Sequence, residues 1–308
     1  MTRIVVLTGG VGGAKLVLGL SHIVTEGVLT AIVNTGDDFR HLGLYISPDI
    51  DTLLYTLADK ANKVQGWGRE GESWAFMAAL RELGGEDWFQ LGDGDLALHV
   101  LRSHALAQGQ SLSQVTARFA ERWGITARIL PMTEQRVATM LDTDQGRFDF
   151  QRYFVERRCE PAVWRIIFEG AAHAEPSPGV VEAIQSAEAV LIAPSNPFLS
   201  IDPMLALPAI RSALERTSAA IVAISPLVGG KAVKGPTAKL MQELDMPVDN
   251  ENIVRHYGGL IDGLLIDNGD RCDVPDIRIA HCATLMTTLE DRKRVAQAAL
   301  DLAASLRE

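Results

Sequence analysis

Residues 34 to 51, NTGDDFRHLGLYISPDID, put Asp37, Asp38, Asp49 and Asp51 in one short stretch directly after an apolar run. Hard divalent cations such as Mg²⁺ take carboxylate oxygens and share the oxygens of phosphate, so this cluster suits metal-assisted chemistry at a phosphorylated substrate. Part of the cluster has a plainer use. In SPDID, Ser47 can cap a helix with Pro48 at its first position and Asp49 in its first turn, where the helix dipole favours a carboxylate. That helix start accounts for Asp51 as readily as a ligand role does, and less readily for Asp37.

A second chemical signal precedes it. GGVGGAKL (9–16) lies where the β-rich run RIVVLT meets AKLVLGLSHIV, whose apolar spacing is helical. Glycines at a strand-to-helix turn let backbone amides approach an anion, and the helix start adds unpaired N–H donors. Gly10, Gly12 and Gly13 would offer those amides and Lys15 a positive charge. Neither familiar signature is met: the third glycine of GxGxxG falls on Lys15, and a GxxxxGK[ST] loop counted from Gly9 has Ala14 and Leu16 at its glycine and hydroxyl positions.

Three later motifs carry weaker signals. LGDGDLALH (91–99) sets Asp93 and Asp95 at a helix start with His99 one turn on; capping explains the acids, and a lone histidine there reads as packed. In APSNPFLSID (193–202), two prolines fix a loop whose Ser195 and Asn196 could read a base or sugar. SPLVGGKAVKGP (225–236) brings Gly229, Gly230, Lys231, Lys234 and Gly235, as phosphate contacts or as solvated surface lysines.

The elements that must position these residues follow from periodicity. LTAIVNT is a second strand, giving a βαβ unit and hence a parallel sheet with a right-handed crossover. From residue 39 to 168 the pattern turns mostly helical, then strand-like in ARILPM, QRYFVERR and VWRIIFEG, after which strands and helices alternate to the end. The expected fold is α/β, a Rossmann-like doubly wound, mainly parallel sheet from residues 1–38 and 169–308, with 39–168 an inserted, largely helical lobe over its carboxyl edge. The glycine turn and the acidic stretch then share the carboxyl edge of the sheet.

Composition excludes several functions. At 308 residues and 47% apolar, the chain can bury a large core in one elaborated domain or two. A net charge of -10 without a basic run argues against nucleic acid or an acidic membrane as partner. Cys159, Cys272 and Cys282 have no ligand spacing and read as structural. With neither a basic leader nor an apolar run approaching about 20 residues, a cytoplasmic protein is expected.

Taken in this order, GGVGGAKL, NTGDDFRHLGLYISPDIDTLLYTLA, LGDGDLALH, APSNPFLSI and SPLVGGKAVKGP resemble the 2-phospho-L-lactate transferase family of deazaflavin coenzyme F-420 biosynthesis. The likeness runs from residue 1 to nearly 300; QGWGRE, LSQVTARFAERWG, FQRYFVERR and PGVVEAIQSAEAVLIAPSNP are similar to its bacterial members. The resemblance implies an enzyme that moves a phosphorylated three-carbon acid from a guanosine diphosphate ester to the ribityl hydroxyl of the deazaflavin Fo, with GMP leaving. It also implies Mg²⁺ dependence and a homodimer.

On that resemblance, residues 9–15 and 229–235 serve the nucleotide side, with Gly10, Gly12, Gly13, Lys15, Asn34, Ser195, Asn196, Lys231 and Gly235 as the binding set. Asp49 maps to the acceptor side; by their chemistry Asp37 and Asp49 are the expected catalytic pair and Asp37, with Asp38 or Asp49 helping, the metal set, and whether Asp49 ligates the metal or orients the attacking hydroxyl stays open. Many members have arginine where this chain has Gly94, so that contact is either absent here or replaced, with Arg102 and Arg69 as the candidates. The acid carried, lactate, enolpyruvate or glycerate, stays open. The alternative is a non-enzymatic regulator of related fold that binds a nucleotide or nucleotide sugar. A nicotinamide dehydrogenase is disfavoured by Lys15 and by a second acid after Asp37.

Overall fold

The computed structural model describes residues 3–63, 65–233 and 235–307, which leaves Lys234 outside the described residues. Seven parallel strands form the central sheet, in the order Arg278–Cys282, Gly263–Asp267, Ala220–Ile224, Ala189–Ile192, Ile4–Thr8, Leu29–Val33 and Arg128–Pro131. A parallel sheet is covered on both faces, and its inner strands are accordingly apolar throughout: IVVLT, AVLI and AIVAI are buried at every position. Successive side chains point to opposite faces, so Val5 and Leu7 enter one core while Ile4 and Val6 enter the other. The helices Gly10–Ser21 and Leu289–Ser305 pack over the second of these faces.

The strand order reverses between Ile4–Thr8 and Ala189–Ile192, which opens a crevice beyond their carboxyl ends. Register fixes what reaches that crevice. Thr8 lies opposite Val33, and Leu7 opposite Ile192, so the glycine turn, the Asn34–Asp38 stretch and the Pro194–Asn196 loop all leave the sheet at one level.

Residues 39–168 supply the edge strand Arg128–Pro131 of this sheet as well as elements outside it. Those elements are the hairpin Phe39–His41 with Leu44–Ile46, four helices between Pro48 and Arg122, and an antiparallel sheet of Gly146–Asp149, Ala138–Thr143 and Val163–Glu169. One expected strand is absent: within QRYFVERR, Arg152–Glu156 forms a short wide helical turn. Its aromatic and β-branched composition suits a strand, but tertiary packing decided otherwise, because the turn buries Tyr153 and swings Gln151 towards Asp37. No helix among the described residues is long and apolar enough to cross a membrane.

Candidate active site

The crevice holds a cavity of about 690 Å³. Gly9, Gly10, Gly12 and Lys15 line one wall, and Asp37, Asp49, Asp51, Asp95 and His99 another. Four apolar side chains at its lining remain substantially exposed: Trp67 at 51%, Val233 at 49%, Leu285 at 45% and Phe154 at 40%. Apolar walls around a few convergent polar groups are the usual make-up of a small-molecule site.

Asp37 and Asp49 are joined through Asn34. The Asn34 amide donates to Asp49 Oδ2 at 3.0 Å and to Asp37 Oδ1 at 3.4 Å, and its own oxygen accepts from the Gly36 N–H at 2.8 Å. Asp49 Oδ1 accepts from the Gly10 N–H at 2.6 Å, and Asp37 Oδ2 from Gln151 Nε2 at 3.1 Å. Burial pushes Asp49 up to about 6. Asp37 is held well above the usual carboxylate range by burial first, then by the charges of Asp49 and Asp38. Two buried acids offer the hard oxygen ligands that a cation such as Mg²⁺ takes, and N–H groups of Asn34, Gly10 and Gln151 donate to those same oxygens.

The other acids have different partners. Asp38 is turned to the hydroxyls of Ser47, at 2.7 Å, and Tyr45, at 3.0 Å, and does not line the cavity. Ser47 therefore binds Asp38 and makes no side-chain cap on the helix Pro48–Leu57. Asp93 caps a neighbouring helix, accepting from the Ala75 and Phe76 N–H groups at the start of Ala75–Glu82, both at 3.0 Å. Asp51 forms a two-pronged pair with Arg102, a side chain only 1% exposed.

Sequence reasoning missed the charged network that grows from that pair. His99 lies between Asp51, 3.7 Å from Nδ1, and Asp95, 3.2 Å from Nε2, while the Tyr55 hydroxyl donates to Asp95. The available signal was the spacing of Asp95, His99 and Arg102 at i, i+4 and i+7, which puts all three on one face of the helix Asp93–Ala107. Ligand atoms of Asp51, Asp95 and His99 lie within 4.8 Å of one another, a second group able to hold a cation, although Arg102 already balances Asp51.

The expected nucleotide set divides in the same way. Gly12, Lys15, Ser195, Asn196 and Gly235 line the cavity; Gly13, Asn34 and the exposed Lys231 do not. The Gly10 amide lines it too but is engaged by Asp49. Lys15 Nζ donates to the Met286 carbonyl at 2.7 Å. Ser195 ties the glycine turn to its own loop, donating to the Gly9 carbonyl at 2.7 Å and accepting from the Gly9 N–H at 3.3 Å. Asn196 caps the following turn through the Phe198 and Leu199 N–H groups, which leaves its buried Nδ2 without a protein partner among the described residues.

Gly12 is required by close approach: a Cβ there would stand 2.5 Å from the Pro194 carbonyl oxygen. Because that obstacle is backbone, Gly12→Ala is expected to lower the unfolding free energy by about 1–3 kcal/mol, measured from urea denaturation midpoints. An unchanged midpoint would show that the two loops yield freely. At Gly94, a Cβ would lie 2.0 Å from Arg69 Nη1, so the Arg69 guanidinium, paired with Glu72 at 3.0 Å, fills the space a side chain at 94 would need. Of the two arginines considered as replacements, Arg69 is therefore the one at that position, and Arg102 belongs to Asp51.

Comparison with known proteins agrees with this architecture. The family model described as 2-phospho-L-lactate transferase CofD matches residues 4–300. The chain is 41% identical to a phosphoenolpyruvate transferase of Kitasatospora aureofaciens and 39% identical to one of Streptomyces coelicolor, each match covering 99% of both proteins. Among solved structures it superposes on a UPF0052 family member from Bacillus halodurans with a TM-score of 0.64 at 16% identity, covering 97% of this chain and 98% of that one. At that identity the likeness concerns the fold, and it matches the doubly wound parallel sheet.

Proposed function

The chain belongs to the 2-phospho-L-lactate transferase family, a family of transferases, and from that premise we propose that it moves a phosphorylated three-carbon acid from a guanosine diphosphate ester to the ribityl hydroxyl of Fo, releasing GMP. The observation that carries this reading is the Asp37–Asn34–Asp49 bridge, whose two acids line one cavity with the Gly12–Lys15 turn and an apolar rim that includes Trp67 and Phe154. The turn suits a diphosphate, and the rim suits the flat ring system of a deazaflavin. The parts of 39–168 outside the edge strand, which bring Trp67, Phe154 and Asp95 to the cavity, cover the acceptor side. Relatives of this chain carry the name phosphoenolpyruvate transferase, which favours the enolpyruvyl ester as donor.

Attack of a hydroxyl on a diphosphate passes through a loose transition state, so positioning and charge neutralisation do most of the work. Lys15 and the backbone at Gly12, in the first turn of a helix whose leading N–H groups lack intrahelical partners, hold the nucleotide phosphates. Asp49, with a proton affinity raised towards neutrality, orients the attacking hydroxyl and takes its proton. Asp37, beside Asp49, would hold Mg²⁺, which when bound supplies charge neutralisation at the phosphates. The Asn196 amide, whose Nδ2 has no protein partner among the described residues, would bind the guanosine side.

The test is direct. Purified protein is mixed with Fo and the lactyl, enolpyruvyl or glyceryl guanosine diphosphate ester, with and without Mg²⁺, and GMP and product are followed by mass. Mg²⁺-dependent product, greatest with the enolpyruvyl ester, is the expected result. Nucleotide binding without product from any of the three would overturn the reading.

A further inference from the structure

A second cleft, of about 680 Å³, lies behind the wall of the main cavity, between the helices Asp93–Ala107 and Leu112–Arg122 and the segment around Lys60. Its charge is one-sided. Lys60, Arg69, His104, Arg118 and Arg122 line it, and no aspartate or glutamate does. In a chain of net charge -10 this is a local inversion of sign. Arg69 is balanced by Glu72, but among the described residues Lys60, His104, Arg118 and Arg122 make no ion pair with a carboxylate. The floor is apolar and partly aromatic, built from Leu98, Leu101, Phe119 and Trp123. Leu101 is 53% exposed on it.

We propose that this cleft is a second binding site, for a small organic anion that combines a phosphate or similar group with a flat apolar portion. Arg118 and Arg122 meet the anionic group, where guanidinium forks form charge-assisted hydrogen bonds. The apolar portion lies on Trp123 and Leu101. Charge complementarity selects the occupant: neutral apolar molecules would leave the cations unmatched, and cations would be repelled.

Packed side chains join the cleft to the main cavity. Lys60 Nζ stands 5.6 Å from the Trp123 ring centroid, and Trp123 packs against Tyr55 with ring centroids 5.6 Å apart. Tyr55 lines the main cavity and donates its hydroxyl to Asp95. One helix thus serves both chambers, with Asp95 and His99 facing the main cavity and Gly94, Leu101 and His104 facing the cleft.

The experiment titrates the full chain with 1-naphthyl phosphate, with neutral 1-naphthol as comparison, by calorimetry at two salt concentrations. Saturable binding of the phosphate is expected, weakened by salt and about tenfold or more weaker in Arg118→Ala/Arg122→Ala. Lys15→Ala, which alters only the main cavity, should leave it unchanged. Both arginine replacements sit at the surface, so an unaltered thermal melt confirms folding. Equal affinity in the double arginine variant, equal binding of naphthol, or loss of binding in Lys15→Ala would each overturn the assignment. Saturation seen only on dilution of an oligomer would also overturn it, because a second copy of the chain would then be the occupant.

Discussion

Asp49→Asn is expected to lower turnover by about 10²–10⁴-fold while removing a pH-dependent burden from the metal-free protein. Burial raises the Asp49 pKa from its ordinary value near 4 to about 6. Between those values the folded chain holds a proton that the unfolded chain has released, so stability falls as pH rises through the interval. The effect is absent below the unfolded pKa, where both states are protonated, and complete above the folded one. The two-unit shift corresponds to about 2–3 kcal/mol. Asp37, raised by burial and by its acidic neighbours, acts with the same sign. The measurement is urea unfolding of wild type and variant without metal at pH 4 and pH 7. Stability of wild type relative to Asp49→Asn should decline by about 2–3 kcal/mol across that range. A difference that stays constant or grows would remove Asp49 as the group responsible. Added Mg²⁺ should raise the wild-type midpoint more at pH 7 than at pH 5, because a deprotonated carboxylate is the ligand.

Arg102→Met should be the most damaging single replacement for the fold. Arg102 is fully buried and forms two hydrogen bonds with Asp51, itself 5% exposed. Removing the guanidinium strands a buried carboxylate beside Asp95, and breaking one side of such a pair costs about 3–5 kcal/mol. A well-packed apolar pair costs much less than a half-broken ionic one, so Arg102→Met/Asp51→Leu should recover most of the loss. Unfolding free energies of the two single variants and the double variant form a thermodynamic cycle that measures the coupling. If the double variant is as unstable as the sum of the singles, the pair is not a closed unit, and its charge is balanced through His99 and Asp95.

The sheet and the neighbourhood of the chemistry were legible in the residues alone. Apolar runs such as IVVLT and AIVAI can be buried only on both faces, and strands alternating with helices leave a parallel doubly wound order as the economical arrangement. The switch-point rule then placed GGVGG and NTGDD at one edge, where register puts them.

Tertiary structure decided which side chains of each motif face the cavity. Asp37 and Asp38 are adjacent in sequence, yet one lines the cavity and the other is held by the hydroxyls of Tyr45 and Ser47. The partners that decide were far away in the chain: Gln151 for Asp37, Arg102 for Asp51 and Arg69 for the space at Gly94. Asp93 and Ser47, read as caps for their own helices, serve other groups for the same reason. Residue type states what a group can bond to, and local periodicity states which face it takes. Which distant donor arrives at that face is fixed only when the core has closed, and at this site that arrival separates Asp51, paired with a guanidinium, from Asp37, which meets a neutral amide.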